Sequence, residues 1–97
     1  SVQFLIQNGY KIIERNFYSR FGEIDIIAEK DDILHFVEVK SGDSFQPIYN
    51  VTKSKLQKII KTLNLYLKKH KLNNFYQIDV ITIHNEDLEF IKNITLF

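Results

Sequence analysis

An amphipathic, lysine-bearing segment stands between two groups of β-prone segments, and this order most constrains the fold. Apolar residues in the segment recur at steps of three and four, which predicts a helix with one apolar stripe. The stripe consists of Leu56, Ile59, Ile60, Leu63, Tyr66 and Leu67. Asn50 or Thr52 can cap the helix, which we expect to end near His70. A helix with one apolar face needs a second layer to pack on.

Five β-prone segments flank the helix, three before it and two after it. They span residues 10–18, 23–28, 33–40, 75–83 and 88–94. Polar segments that favour turns or loops separate them, at 19–22, 29–32, 41–50 and 85–87. A first helix is expected to end at Gly9, in the left-handed position after a helix. The order α-β-β-β-α-β-β predicts an α/β (α+β) fold, with a mixed sheet of about five strands flanked by helices.

Length and composition indicate one domain, residues 1–97, whose first helix we expect to be truncated at Ser1. The chain has no cysteine, which excludes disulfides and thiolate metal sites. No run of about 18 apolar residues is present, so we expect no membrane-spanning helix and a cytoplasmic protein. His35, His70 and His84 lie too far apart in sequence to favour a zinc site.

The charges are unevenly distributed. Residues 44–78 contain seven lysines and no Asp or Glu, although the whole chain has a net charge of only +1. On the predicted helix, Lys58, Lys61, Lys68 and Lys69 project away from the apolar stripe, and Lys55 lies on its flank. Two interpretations remain open: a solvated helix face, or an electrostatic footprint for a polyanion.

Acidic residues and a lysine occupy neighbouring β-prone segments. Alternation along a strand places Glu23 with Asp25 on one face, and Glu38 with Lys40 on one face. The same alternation groups apolar residues into two sets, one of Ile24, Ile26 and Ala28, the other of Ile33, His35, Val37 and Val39. If the two segments form a hairpin, Asp25 can lie near Glu38, on a face otherwise built from Ile27, Leu34 and Phe36.

Charges on an apolar-flanked face are costly unless they are paired or bound to a metal. Two carboxylates suit a hard divalent cation, and the Lys40 ammonium could hold a water or stabilise a developing negative charge. The alternative is a cross-strand ion pair of Asp25 or Glu38 with Lys40. Spacing alone does not decide between them.

These residues carry a resemblance to a known family. Asp25 followed by Glu38-Val39-Lys40 resembles the D…ExK core of the PD-(D/E)XK nuclease superfamily. The wider string resembles the YraN-like family, a bacterial group regarded as endonucleases and related in fold to archaeal Holliday junction resolvases. It consists of Gly9-Tyr10, Arg15-Asn16, Gly22 to Ala28, Phe36 to Lys40, the lysine-bearing helix and Ile78-Asp79-Val80.

The resemblance implies a restriction-endonuclease-like core that hydrolyses DNA, with branched DNA as one expected substrate, and that uses Mg²⁺, for which Mn²⁺ can substitute. Asp25, Glu38 and the Val39 carbonyl would be metal ligands, and Lys40 would position the attacking water. Glu23 and Asp79 would support the site, although Asp79 could equally be a buried carboxylate paired with a lysine. The residues expected to contact DNA are Arg20, Lys53, Lys55, Lys58 and Lys61. A homodimer is one expected assembly, because resolvases cut two strands.

The chain departs from the family pattern at three places. A glutamate of the first helix would fall just before Ser1, leaving Gln3 as the polar side chain nearby. A basic residue after the motif lysine is replaced in Ser41-Gly42-Asp43, and an arginine before the late Phe-Asp is replaced in Tyr76-Gln77. Two functions therefore stay open: a metal-dependent nuclease, and a nuclease-fold module that binds DNA or a protein without cutting. Phe45 and Tyr49 could stack on an unpaired base or anchor their loop.

Overall fold

The computed structural model describes residues 1–42 and 52–94 and confirms the predicted fold class and element order. Its elements are α1 (Val2–Gln7), β1 (Lys11–Ser19), β2 (Gly22–Lys30), β3 (Ile33–Gly42), α2 (Lys53–Lys69), β4 (Tyr76–His84) and β5 (Asp87–Ile91). The five strands form one sheet in chain order. β3 and β4 are parallel and all other neighbours are antiparallel, so the sheet is mixed.

Helix α2 connects the two parallel strands and covers one face of the sheet. A parallel pair needs a crossover, and α2 is the helix that makes it. The predicted stripe is confirmed: Leu56, Ile59, Leu63 and Tyr66 are buried, and Ile60 and Leu67 pack beside them. They contact the sheet residues Phe17, Ile24, Ile27, Leu34, Phe36 and Ile78. Thr52 is the N-cap, since its hydroxyl accepts a hydrogen bond from the Lys55 N–H at 3.1 Å, and Asn50 lies outside the described residues.

The other face of the sheet has its own core, beneath α1. Its buried members are Leu5, Tyr10, Ile26, Ala28, Val37 and Ile81. Phe4 of α1 packs edge to face against Phe90 of β5, with ring centroids 5.6 Å apart. The predicted role of Gly9 is confirmed, because its φ of +89° lies in the left-handed region that glycine adopts without penalty. Two cores thus enclose β2, β3 and β4.

One prediction about β2 is wrong. Ile24 does not share a face with Ile26 and Ala28: it packs with Ile27 under α2, whereas Ile26 and Ala28 belong to the core under α1. The alternation of side chains therefore breaks between Ile24 and Ile27. On β1, the adjacent strand, Asn16 has a left-handed φ of 56° and the pairing register shifts between Ile12 and Glu14. Asp25 lies at this irregularity.

Several element boundaries also differ from the prediction. The four-residue turn predicted at 29–32 is a two-residue turn, Asp31-Asp32, and both residues have positive φ, as hairpin turns matching the strand twist require. β5 begins at Asp87 and ends at Ile91, three residues before the predicted end.

Neither helix in the described part of the chain is long and apolar enough to cross a membrane.

Candidate active site

Strands β2 and β3 separate at Asp25. Their ladder runs from Lys30↔Ile33 to Ile26↔Val37, and one step further along the same register Asp25 faces Glu38, so the two acids lie near each other as the hairpin hypothesis expected. There the Asp25 side chain substitutes for a backbone partner, because its Oδ2 accepts a hydrogen bond from the Val39 N–H at 2.8 Å. This bond holds the carboxylate against β3, next to Glu38.

Glu38 is an acid in an unfavourable environment. Its side chain follows Leu34 and Phe36 on the α2 side of β3. The residue is 8% exposed, and its Oε1 is buried without a hydrogen-bond partner among residues 1–42 and 52–94. Burial, and after it the negative charge of Asp25, raise the pKa of Glu38 to about 8 against the opposing charges of Lys55 and Lys40. A hydrogen bond with Asp25 adds to this, so the metal-free pair retains a proton near neutral pH.

Lys40 and Lys55 complete a group of four charged residues. The first turn of α2 brings Lys55 to Lys40, and their hydrogen bond, together with burial and charge repulsion, lowers the pKa of Lys40. Neither Asp25 nor Glu38 forms a salt bridge with Lys40 within residues 1–42 and 52–94, so the predicted cross-strand ion pair is not observed there. An amine with a lowered pKa can accept a hydrogen bond as well as donate one, which suits a group that orients water.

A cleft of about 580 Å³ opens beside Asp25. Its lining comes from the start of α1, from β1 and from the fork between β2 and β3: Ser1, Val2, Gln3, Arg15, Asn16, Asp25, Ile26 and Val39. Gln3 thus lies in the same cleft as Asp25, at the position where the sequence placed it as a polar neighbour. The sequence analysis gave Arg15 and Asn16 no role in the site, although both are among the residues that carry the family resemblance. The local sequence signal for the irregularity of β1 beside Asp25 is Asn16 itself, because asparagine enters the left-handed region more readily than most residues.

Glu23 and Asp79 lie apart from this group. Glu23 pairs across the β1–β2 hairpin with Tyr18, and their hydrogen bond raises the pKa of that exposed tyrosine. Asp79 is completely buried and pairs with Val37 on the α1 side of the sheet. Its Oδ2 lies 2.7 Å from His35 Nδ1, and its Oδ1 accepts hydrogen bonds from Gln77 Nε2 and the Asn93 N–H, each at 2.8 Å. The partner of Asp79 is therefore a histidine and not a lysine. Its hydrogen bonds join β3, β4 and the segment after β5, which indicates a structural role.

The predicted basic residues border the α2 side of the site. Lys53, Lys55, Lys58 and Lys61 are all exposed on α2. At the β1–β2 turn, Arg20 and Lys61 both lie over the Phe21 ring, 4.8 and 5.3 Å from its centroid. The turn is fixed to the helix by a 2.8 Å hydrogen bond between Ser19 Oγ and Thr62 Oγ1. The Phe21 ring thus brings Arg20 close to Lys61 of the helix.

Two further predictions concern metals and loop aromatics. In the described ranges, no cluster of three or more His, Cys, Asp or Glu residues could hold a metal ion. The acidic donors of the site there are accordingly Asp25 and Glu38. Phe45 and Tyr49 lie outside the described residues.

Comparison with known proteins gives the family. The model of the family described as "Uncharacterised protein family UPF0102" matches residues 1–83. A UPF0102 protein of Helicobacter hepaticus is 54% identical over 93 residues, which cover 96% of this chain and 84% of the relative. A UPF0102 protein of Wolinella succinogenes is 56% identical over 93 residues, covering 96% and 86%. One of Helicobacter pylori is 50% identical over 93 residues, covering 96% and 82%. The chain therefore belongs to the UPF0102 family of bacterial proteins, whose function is uncharacterised.

Proposed function

We propose that the protein is a metal-dependent endonuclease that hydrolyses phosphodiester bonds in DNA, with branched or otherwise structured DNA as the preferred substrate. The observation that carries this proposal is the buried Oε1 of Glu38, which no group in the described part of the chain hydrogen-bonds, beside the fixed carboxylate of Asp25. An unsatisfied buried carboxylate oxygen is costly, and a cation ligated at that atom removes the cost.

The donor set fits a hard divalent cation. Asp25 and Glu38 supply carboxylate oxygens, and the Val39 carbonyl is a candidate third ligand, a set that suits Mg²⁺, with Mn²⁺ as a substitute. When bound, Mg²⁺ would polarise a phosphate oxygen and lower the pKa of a coordinated water. Displacing the proton that Glu38 shares with Asp25 frees both carboxylates to act as ligands.

The other residues of the site have separate roles. Lys40, half-buried and two residues beyond Glu38, orients the attacking water and stabilises the charge that develops on the phosphate. Lys55 lies against Lys40 and keeps a second ammonium group at the same place. The exposed helix lysines and Arg20 bind phosphates on either side, which makes binding strongly dependent on salt.

One observation favours a second candidate function. Within the described residues no group of three or more His, Cys, Asp or Glu side chains could hold a metal ion, so the site offers a cation two carboxylates only. The alternative is a nuclease-fold module that binds DNA or a protein partner and does not cut.

Cleavage assays distinguish the two functions. The full-length protein would be incubated with labelled linear, flapped and four-way-junction DNA and with Mg²⁺ or Mn²⁺, beside Asp25→Asn and Glu38→Gln variants. We expect metal-dependent cutting that both substitutions abolish, while DNA binding by Glu38→Gln remains near the wild-type level. Salt-sensitive binding without cutting by any form would support the binding module. Absence of both cutting and binding would contradict both functions on DNA.

A further inference from the structure

Arg15 lines the same cleft as Asp25, on the side of the sheet opposite α2. Three apolar residues of the lining, Val2, Ile26 and Val39, belong to the core under α1. The cleft therefore opens on the α1 side, whereas Glu38 and Lys55 meet on the α2 side. Asp25, at the fork between β2 and β3, reaches both.

The Arg15 side chain is available to a ligand. Arg15 is exposed and pairs with Ile26 in the β1–β2 ladder, one residue from the position opposite Asp25. In the two described ranges its guanidinium forms no salt bridge and no hydrogen bond. A guanidinium that lines a cleft beside a carboxylate without pairing with it can bind an anion there.

Two residues with amide side chains line the cleft beside Arg15 and Asp25. They are Gln3 and Asn16, and both are exposed. Asn16 reaches its place through the left-handed φ of 56°, which asparagine tolerates better than most residues.

We propose that this cleft is a phosphate subsite for the nucleic-acid strand, in which Arg15 binds the non-bridging oxygens of one backbone phosphodiester beside Asp25. The planar guanidinium matches two phosphate oxygens at once. The subsite rests on the proposed function, because it takes its strand from the DNA held at Asp25 and Glu38. The DNA backbone is then bound by Arg15 on the α1 side of the sheet and by the α2 lysines on the other side.

The test measures DNA binding separately from cutting. Anisotropy of labelled DNA with the full-length protein would be recorded between about 50 and 200 mM NaCl, with Ca²⁺ in place of Mg²⁺. For Arg15→Gln we expect affinity to fall roughly tenfold and the slope of log K against log salt to fall by about one. Arg15→Lys should keep the slope and lose affinity, since it keeps the charge and loses the two-pronged geometry.

Lys11→Gln is the matched control. Lys11 is exposed on the same strand, opposite Glu29, and does not line the cleft, so this variant removes one positive charge elsewhere. Its salt slope should equal that of the wild type. Equal slopes for Arg15→Gln, Lys11→Gln and the wild type would overturn the subsite.

The outcomes separate the subsite from the proposed function. A wild type that never cuts, with a reduced slope in Arg15→Gln alone, would keep the subsite and reject hydrolysis. Metal-dependent cutting with no effect of Arg15→Gln on slope or affinity would keep hydrolysis and reject the subsite. A wild type that does not bind DNA would reject both.

Discussion

The Asp25 carboxylate accepts a hydrogen bond from the Val39 N–H at 2.8 Å, across the point where β2 and β3 part. A strand that leaves its neighbour normally exposes backbone N–H donors to water. Here the Asp25 side chain accepts the hydrogen bond of one such donor. The same contact sets the distance between Asp25 and Glu38, because Val39 follows Glu38 directly. Backbone geometry therefore positions the two acids before any ligand binds.

Metal affinity should rise with pH up to about pH 8. Mg²⁺ or Mn²⁺ must displace the proton that the raised pKa of Glu38 retains, so affinity should increase roughly tenfold per pH unit below pH 8 and level off above it. Isothermal titration with Mn²⁺ across this range checks the prediction. Glu38→Gln is the control, and it should bind weakly at every pH. Affinity independent of pH between 6 and about 8 would contradict the assignment of Glu38 as a ligand.

Without metal, the stability of the fold should fall as pH rises from about 5 to about 8. The pKa of Glu38 is higher in the folded chain than its usual 4.5, so the folded state binds the extra proton in this range. Deprotonation then favours the unfolded state, by at most a few kcal/mol. Urea unfolding in EDTA at a series of pH values measures the effect. Glu38→Gln should reduce the pH dependence, and an unchanged dependence in that variant would place its origin elsewhere.

Removing two helix lysines should weaken binding and leave the chemistry intact. Lys58→Ala with Lys61→Ala removes two exposed charges, so the salt slope should fall by about two and affinity should drop, with little change in cutting at saturating DNA. Lys68→Ala with Lys71→Ala is the matched pair, since both lysines are exposed, one in the last turn of α2 and one just after the helix, and it should have a smaller effect. Equal losses from both pairs would show that the footprint is not confined to the start of the helix.

Asp79→Asn should lower stability without affecting the candidate site. The substitution removes the charge that faces His35 and weakens the hydrogen bonds from Gln77 and the Asn93 N–H. We expect a loss of about 1–3 kcal/mol in the free energy of unfolding, measured with urea, and unchanged metal affinity. Unchanged stability together with lost metal binding would instead make Asp79 part of the site, as the family resemblance implied.

Local patterns predicted most of the fold and the central pair of acids. The spacing of Leu56, Ile59 and Leu63 gave the face of α2, and period-two alternation in a hairpin predicted that Asp25 can lie near Glu38. Both predictions use only the spacing of residues that are close together in the sequence. The same alternation failed at Ile24, where the left-handed Asn16 on the adjacent strand accompanies the break.

Contacts between distant residues could not be predicted in this way. The partner of Asp79 is His35, 44 residues away, and no spacing rule connects them. The position of Arg15 beside Asp25 likewise depends on the pairing of β1 with β2 around an irregularity. Lys55 was expected to contact DNA, and the packing of α2 on the sheet also brings it to Lys40.

The mixed sheet has a consequence for the order of folding. β1, β2 and β3 pair as successive hairpins, so their contacts close short loops, whereas β3 and β4 are separated in sequence by α2 and their pairing closes a much longer loop. Asp25, Glu38, Lys40 and Arg15 all belong to the meander of the first three strands. We therefore expect the acids to be gathered early on the folding pathway, and docking of α2 and β4 to be the slow step that buries Glu38 and brings Lys55 to its side.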